Sequence, residues 1–204
     1  MSRRYGAIYA DPPWSFRNWS AKGTGRNAIS HYDCLDYEAL AALPIGDLAA
    51  DNCVLFLWAV DPLLPRALDL IKAWGFEYKT VGFYWVKLNA KATRGDDYFT
   101  GLGYWTRANP EQCLLATRGK PPRLSKNVRK LIVDRRREHS RKPDEVRERI
   151  ERLVNGPYLE VFARETKSGW SCWGDQAGLF NAGPVITRRQ SSRLTGEQGR
   201  LVLE

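Results

Sequence analysis

The sequence predicts an α/β fold in which a mostly parallel sheet is flanked by helices. Short apolar runs of strand length alternate along the chain with segments of helical periodicity, an order typical of an open sheet with helices on both faces. Residues 53–60 are apolar almost throughout, as expected of a strand that is covered on both sides. With 204 residues, of which 43% are hydrophobic, the chain suits one such domain. We expect this domain to span residues 1–180 and the aperiodic residues 181–204 to form an extension.

Five segments have the composition of β-strands. They are residues 5–10, 53–60, 80–87, 111–119 and 158–165. Open sheets of this kind bind ligands beyond the carboxyl ends of their strands. Asp11 follows the first predicted strand, and Phe162 lies near the end of the last one. We therefore expect both residues at the edge of the sheet that carries a site.

Three segments have helical periodicity. They are residues 36–49, 62–75 and 142–156. Pro44 is expected to break the first helix, and Gly75 to stop the second. The third is the best defined, because Pro143 and acidic residues stand near its start and Gly156 follows its end.

The charge balance favours a polyanionic partner. The chain has 32 Lys and Arg against 23 Asp and Glu, a net charge of +9. Charge alone fits a merely soluble basic protein equally well. Aromatic and basic residues, however, mix closely in residues 78–99 and 103–111, and such mixing is typical of nucleic-acid binding. Two long polar segments, residues 15–34 and 88–108, are candidates for holding the substrate.

Other classes of protein are disfavoured. The four cysteines are far apart and form no CxxC pair, so we expect no metal site and a reducing, cytoplasmic location. No apolar run reaches the roughly 18 residues of a membrane span, and the first residues lack a signal-peptide pattern. We expect no association with a membrane.

The stretch "ADPPW", residues 10–14, carries the chemical prediction. Two successive prolines continue neither a sheet ladder nor a helix, so they fix a stiff turn at the end of the first strand. An aromatic amine becomes nucleophilic when fixed acceptors on its N–H groups draw the nitrogen towards tetrahedral geometry. Asp11 offers a carboxylate acceptor, the Pro12 carbonyl offers another, and Trp14 offers a ring that can stack on a base.

Together with later segments, this stretch resembles the MT-A family of adenine N6-methyltransferases. The resemblance also rests on "EHSRKPDEVRERIERL", "LEVFARE" and "GWSCWGDQ", which follow in the family's order, and it covers roughly residues 5–180. It implies a Rossmann-like class I methyltransferase fold in which the catalytic motif comes first and the cofactor loop last. It also implies S-adenosyl-L-methionine as cofactor, with the catalytic residues Asp11, Pro12, Pro13 and Trp14.

The resemblance assigns further residues. Cofactor contacts are implied for Asp11, Lys142, Phe162, Arg164, Asp175 and Gln176. Glu111 and Trp14 are implied beside the acceptor base, while Lys87 at the end of a predicted strand faces either substrate or solvent. Two positions depart from the family pattern: Ala163 stands where some relatives have Gly, and Asp175 replaces the more common Asn.

The sequence thus predicts methyl transfer to adenine in nucleic acid. DNA is preferred by family analogy alone, and RNA is the near alternative. A non-catalytic family member that binds nucleic acid or scaffolds a partner is a second alternative, and methylation of cytosine or of a glutamine amide is a third. Because 204 residues leave no room for a separate recognition domain, we expect the long loops, a partner subunit or a homodimer to supply specificity.

Overall fold

The computed structural model describes residues 4–14, 36–137 and 141–174. Within these ranges the chain forms one seven-stranded sheet of strand order β5-β3-β4-β2-β1-β6-β7. The strands are β1 (Tyr5–Ala10), β2 (Ala49–Ala59), β3 (Glu77–Leu88), β4 (Glu111–Arg118), β5 (Leu131–Arg135), β6 (Tyr158–Val161) and β7 (Trp170–Trp173).

The sheet is mostly parallel, as predicted. β1 runs parallel to β2 and β6, β6 to β7, and β3 to β5, whereas β4 runs antiparallel to both of its neighbours, β2 and β3. Six strands therefore end, and β4 begins, along the same side of the sheet. We call this side the carboxyl edge. Residues that follow β1, β3, β5 and β6, and those that start β4, meet there.

Four α-helices flank the sheet. They are α1 (Tyr37–Ala41), α2 (Ile45–Leu48), α3 (Leu64–Ala73) and α4 (Glu145–Leu153). Pro44 separates α1 from α2, as predicted. Gly75 follows α3 with a φ of 79°, a left-handed conformation that glycine adopts without steric cost.

The helices cover both faces of the sheet and produce two hydrophobic cores. On one face α1, α2 and α3 bury side chains such as Leu40, Ile45 and Leu70 against the sheet. On the other face α4 contributes Val146 and Ile150. Neighbouring positions of β1 alternate between the two cores, since Ile8 packs in the first and Tyr9 in the second. The predicted α/β architecture with helices on both faces is confirmed.

Two strands were absent from the sequence prediction. β5 and β7 form the two outer edges of the sheet, with five and four residues respectively. Of β5 only Ile132 is buried. The sequence of β5 therefore carries a weak apolar signal, whereas β7 buries three of its four residues but is too short to show a period. None of the helices in the described part of the chain is long and apolar enough to cross a membrane.

Candidate active site

Asp11 occupies the carboxyl edge directly after β1. Pro12 and Pro13 then turn the chain, and the Trp14 amide donates to the Pro12 carbonyl oxygen over 2.8 Å. A carbonyl has two lone pairs, so the Pro12 oxygen can still accept a second hydrogen bond. The Asp11 side chain is 21% exposed, which leaves its carboxylate within reach of a ligand. The Asp11 carboxylate and the Pro12 carbonyl oxygen thus both lie at the carboxyl end of β1, on a backbone that the two prolines stiffen.

A row of alternating charges connects Asp11 with three other predicted residues. Lys142 Nζ lies 2.8 Å from Asp11 Oδ2 and 3.3 Å from Glu111 Oε2. Lys87 Nζ donates to Glu111 Oε1 over 3.1 Å. The four residues come from the position after β1, from β3, from the start of β4 and from the segment before α4. The structure therefore brings them together from positions up to 131 residues apart.

The row holds its inner members in their charged forms. Burial disfavours the charged form of Lys142, but the carboxylates of Asp11 and Glu111 outweigh it and raise the pKa of Lys142 above its usual 10.5. Burial likewise disfavours ionised Glu111, but Lys142 and Lys87 outweigh it and lower the pKa of Glu111 below 4.5. At neutral pH Lys142 is a cation and Glu111 an anion.

Three aromatic residues lie beneath this row. The Trp14 ring is 7% exposed and packs in the first core, where its Nε1 donates to the Trp58 carbonyl over 3.0 Å. Lys142 Nζ lies 5.2 Å from the centre of the Trp58 ring. Trp58 Nε1 in turn donates to the Tyr9 hydroxyl over 2.7 Å. Trp14 thus anchors the turn to β2, and its stacking on a base stays a prediction.

The segment after β6 faces Asp11 across a narrow cleft. Phe162 has a φ of 63°, a conformation that is uncommon for residues other than glycine and that concentrates at functional sites. Arg164 Nη2 lies 3.8 Å from Asp11 Oδ2. The Ala163 side chain is fully buried in the second core and does not line the cleft. Asp175 and Gln176 lie outside the described residues.

The cleft contains charged residues that sequence reasoning missed. Glu160 in β6 and Glu165 both accept from Arg147 of α4, which also donates to Asp144 over 2.7 Å. Burial raises the pKa of Glu160 to about 7, although Arg147 lies 3.1 Å away and opposes the shift. The sequence did offer a signal for these residues: Glu160 stands inside the apolar run "YLEV", and an acid buried in a strand requires a charged or hydrogen-bonding partner.

The arrangement can hold a polar planar ligand between fixed acceptors. The Asp11 carboxylate and the Pro12 carbonyl can each accept one N–H of an amino group. Lys142 and Arg164 supply positive charge on the same side. Such a set of groups, preorganised before a ligand arrives, orients an amine without needing to reorganise.

Comparison with known proteins gives one family. The model of the family described as MT-A70 matches residues 5–176. The type II methyltransferase M.MunI of Mycoplasma sp is 32% identical over 190 residues, covering 84% of this chain and 77% of that protein. The Arabidopsis thaliana protein named N(6)-adenosine-methyltransferase MT-A70-like is 29% identical, covering 88% of this chain and 25% of its own length. The human N(6)-adenosine-methyltransferase catalytic subunit METTL3 is 28% identical, with coverages of 93% and 31%.

Proposed function

The chain belongs to the MT-A70 family, and from that membership we propose that it transfers a methyl group from S-adenosyl-L-methionine to the N6 amino group of adenine in nucleic acid. One observation of the site carries the proposal: the Asp11 carboxylate and the Pro12 carbonyl belong to consecutive residues at the carboxyl edge, with Lys142 Nζ 2.8 Å from the carboxylate. Two acceptors so placed fit the two N–H groups of an exocyclic amine.

The residues of the cleft suit S-adenosyl-L-methionine. Its methionine end carries a carboxylate and an ammonium group, and the cleft offers both kinds of partner: Lys142 and Arg164 for the carboxylate, Asp11 and Glu160 for the cations. When bound, the cofactor supplies an electrophilic methyl group on a sulfonium. Phe162, with its left-handed backbone, stands at the rim of the cleft.

The proposed fold assignment is a Rossmann-like class I methyltransferase with permuted motif order. Its support is the position of Asp11 after the first strand and of Arg164 after the sixth. We also propose that Asp175 and Gln176 bind the ribose and adenine end of the cofactor.

The chain's own groups then prepare the amine for attack. Asp11 accepts one N–H and the Pro12 carbonyl the other, which draws the nitrogen lone pair out of the base ring. Lys142 holds the Asp11 carboxylate in place through its 2.8 Å contact. The carboxylate need not remove a proton beforehand, because the departing proton becomes acidic once the nitrogen is alkylated. We propose that Glu111, 3.3 Å from Lys142, lies beside the acceptor base.

DNA is the proposed substrate, with RNA as the second candidate. The match with the protein named a type II methyltransferase covers 77% of that protein, whereas the proteins named N(6)-adenosine-methyltransferases are three to four times longer than the matched region. The match over most of the protein named a type II methyltransferase favours DNA. In a duplex the adenine has to be flipped out of the stack, while a single strand exposes it at lower cost.

The test is methyl transfer from labelled S-adenosyl-L-methionine to single- and double-stranded DNA and RNA, with the products digested to nucleosides. We expect N6-methyladenine in a DNA pool from the wild type and none from Asp11→Ala. Asp69→Ala, which removes an exposed carboxylate from α3, is the matched control and should be as active as the wild type. Cofactor binding without product in any pool would contradict methylation by the chain alone and point to a partner subunit or a scaffold role.

A further inference from the structure

An exposed tryptophan stands in the long connection between β3 and β4. The Trp105 side chain is fully exposed, with a relative accessibility of 106%, whereas tryptophan is ordinarily among the well-buried residues. Its backbone has a φ of 62°, a strained conformation for a bulky residue. Trp105 thus combines an exposed ring with backbone strain, a combination that packing within the described part of the chain does not explain.

The loop that carries this ring is anchored beside the active site. We call residues 99–109 the Trp105 loop. At its base the Asn109 side chain bonds the backbone N–H and the carbonyl of Lys87, each over 2.9 Å. The Gly101 amide donates to the Ala108 carbonyl over 2.7 Å, which closes the loop above this base. Lys87 pairs with Glu111, so the Trp105 loop starts at the row of charges that ends at Asp11.

A basic groove adjoins the base of this loop. The groove has a volume of about 750 Å³ and includes Arg135, Arg136 and Arg137 at the end of β5. We call it the arginine groove. The Arg136 guanidinium lies 4.3 Å from the centre of the Phe99 ring, which connects the groove with the Trp105 loop.

Two cations of the arginine groove are available to a ligand. Arg137 forms an ion pair with Asp144 over 2.9 Å, and Glu145 forms one with Arg149 over 2.7 Å. The remaining acid, Asp134, accepts from the Arg135 amide. Among the described residues, the exposed Arg135 and Arg136 form no ion pair.

We propose that the Trp105 loop and the arginine groove bind the nucleic-acid strand that carries the target adenine. Trp105 stacks on a base beside the target, and Arg135 and Arg136 contact backbone phosphates. An exposed ring on a loop whose Phe99 lies against Arg136 of a basic groove is a combination that single strands favour, because every base has a face to stack and every linkage a charge. This inference rests on the proposed function and adds to it the surface that holds the substrate.

The experiment measures the affinity of the full chain for a fluorescein-labelled, adenine-containing single-stranded DNA oligonucleotide by anisotropy over a range of salt concentrations. Trp105→Ala should weaken binding about tenfold or more, with an unchanged salt slope, since stacking involves no counterion release. Trp105→Phe should restore most of the affinity. Arg135→Ala and Arg136→Ala should each lower the slope of log Kd against log salt by about one.

Arg123→Ala is the matched control. Arg123 is exposed in the segment between β4 and β5, on the side of the sheet opposite the carboxyl edge, so its removal should change neither affinity nor slope. The RNA oligonucleotide of the same sequence is measured in parallel, and binding of wild type to neither would overturn the inference. Unchanged affinity of Trp105→Ala for the oligonucleotide would also overturn the inference. If that variant changes only the sedimentation of the chain, the loop is a protein interface, and the inference is likewise overturned.

Methylation assays on the same variants separate this inference from the proposed function. Trp105→Ala should raise KM for the oligonucleotide while Kd for S-adenosyl-L-methionine stays at its wild-type value. If the wild type makes N6-methyladenine and Trp105→Ala binds DNA normally, the surface is wrong and the proposed function stands. If the wild type makes no product but Trp105→Ala loses DNA affinity, the surface stands and the reaction is wrong.

Discussion

At the scale of single residues, Lys142 determines the electrostatics of the site. It touches both Asp11 and Glu111, and its pKa is raised by them against the effect of burial. Of these two carboxylates, Lys87 contacts only that of Glu111. Replacing either lysine therefore removes one positive charge. Loss of Lys142 affects both Asp11 and Glu111, whereas loss of Lys87 affects Glu111 alone.

We predict that Lys142→Met raises the pKa of Glu111, because burial then acts against one remaining cation instead of two. The acidic limb of the pH–rate profile should move to higher pH, and affinity for S-adenosyl-L-methionine should fall. In stability terms, Glu111 has a lowered pKa, so its contribution is present above about pH 4.5 and is lost as pH falls through the folded value. The pH–rate profile and calorimetric titration with the cofactor measure these effects.

Lys87→Met serves as the comparison variant. It should also move the acidic limb, since Lys87 is a partner of Glu111, but it leaves the 2.8 Å contact between Lys142 and Asp11 intact. Cofactor affinity should then be unchanged. Equal losses of cofactor affinity in the two variants would contradict the distinct role given to Lys142.

At the scale of elements, α4 is joined to β6 and the segment after it by one guanidinium. Arg147 bonds Asp144, Glu160 and Glu165, and it is 6% exposed. Arg141 also donates to Glu165, and Arg137 donates to Asp144, so three cations serve these three acids. Loss of Arg147 would leave buried carboxylates without their main partner, which is costly because the charges stay out of water.

We predict that Arg147→Met lowers the free energy of unfolding by about 3 kcal/mol. The double variant Arg147→Met/Glu165→Gln should recover part of that loss, since it also removes one of the stranded charges. Urea titrations of both variants measure these changes. Arg152→Met, on the exposed side of α4, should stay within about 0.5 kcal/mol of wild type. A loss as large in Arg152→Met would show that the effect comes from helix propensity rather than from the cleft.

The elements also show where prediction from the sequence succeeds. β2 was predicted because seven consecutive residues, Cys53–Ala59, are buried, and such a strand is apolar at every position. β5 was missed because it pairs on one side only and buries Ile132 alone, whereas β7 buries three of its four residues but is too short to show a strand pattern. The helices followed from their periodicity and their stop signals, with Pro44 and Gly75 at the expected boundaries.

At the scale of the whole molecule, the site is made by the topology of the sheet. Asp11, Lys87, Glu111, Lys142 and Arg164 lie on different segments, and they meet because those segments reach the same edge. Motif resemblance named four of them, and Lys87 was singled out from its place at the end of a predicted strand. It did not indicate that Lys142 lies between two carboxylates, or that Arg147 supports the cleft, because such pairings depend on side-chain positions across strands distant in sequence.

The pH dependence of global stability gives the last prediction. Burial raises the pKa of Glu160 from 4.5 to about 7. Between these values the folded chain keeps a proton that the unfolded chain releases, so stability falls as pH rises through this window and levels off above about pH 7. Wild type should therefore lose roughly 2 kcal/mol of unfolding free energy between about pH 5 and about pH 8.

Glu160→Gln tests this directly, because the amide keeps the size of the side chain and an oxygen for Arg147 but does not ionise. Urea titrations at the two pH values should show a much smaller decline than in wild type. Glu148→Gln, which changes an exposed acid of α4, should retain the full decline. If Glu160→Gln declines as steeply as wild type, the proton that the folded chain keeps belongs to another group. If the decline disappears, the acid of the cleft sets the stability of the whole molecule near neutral pH.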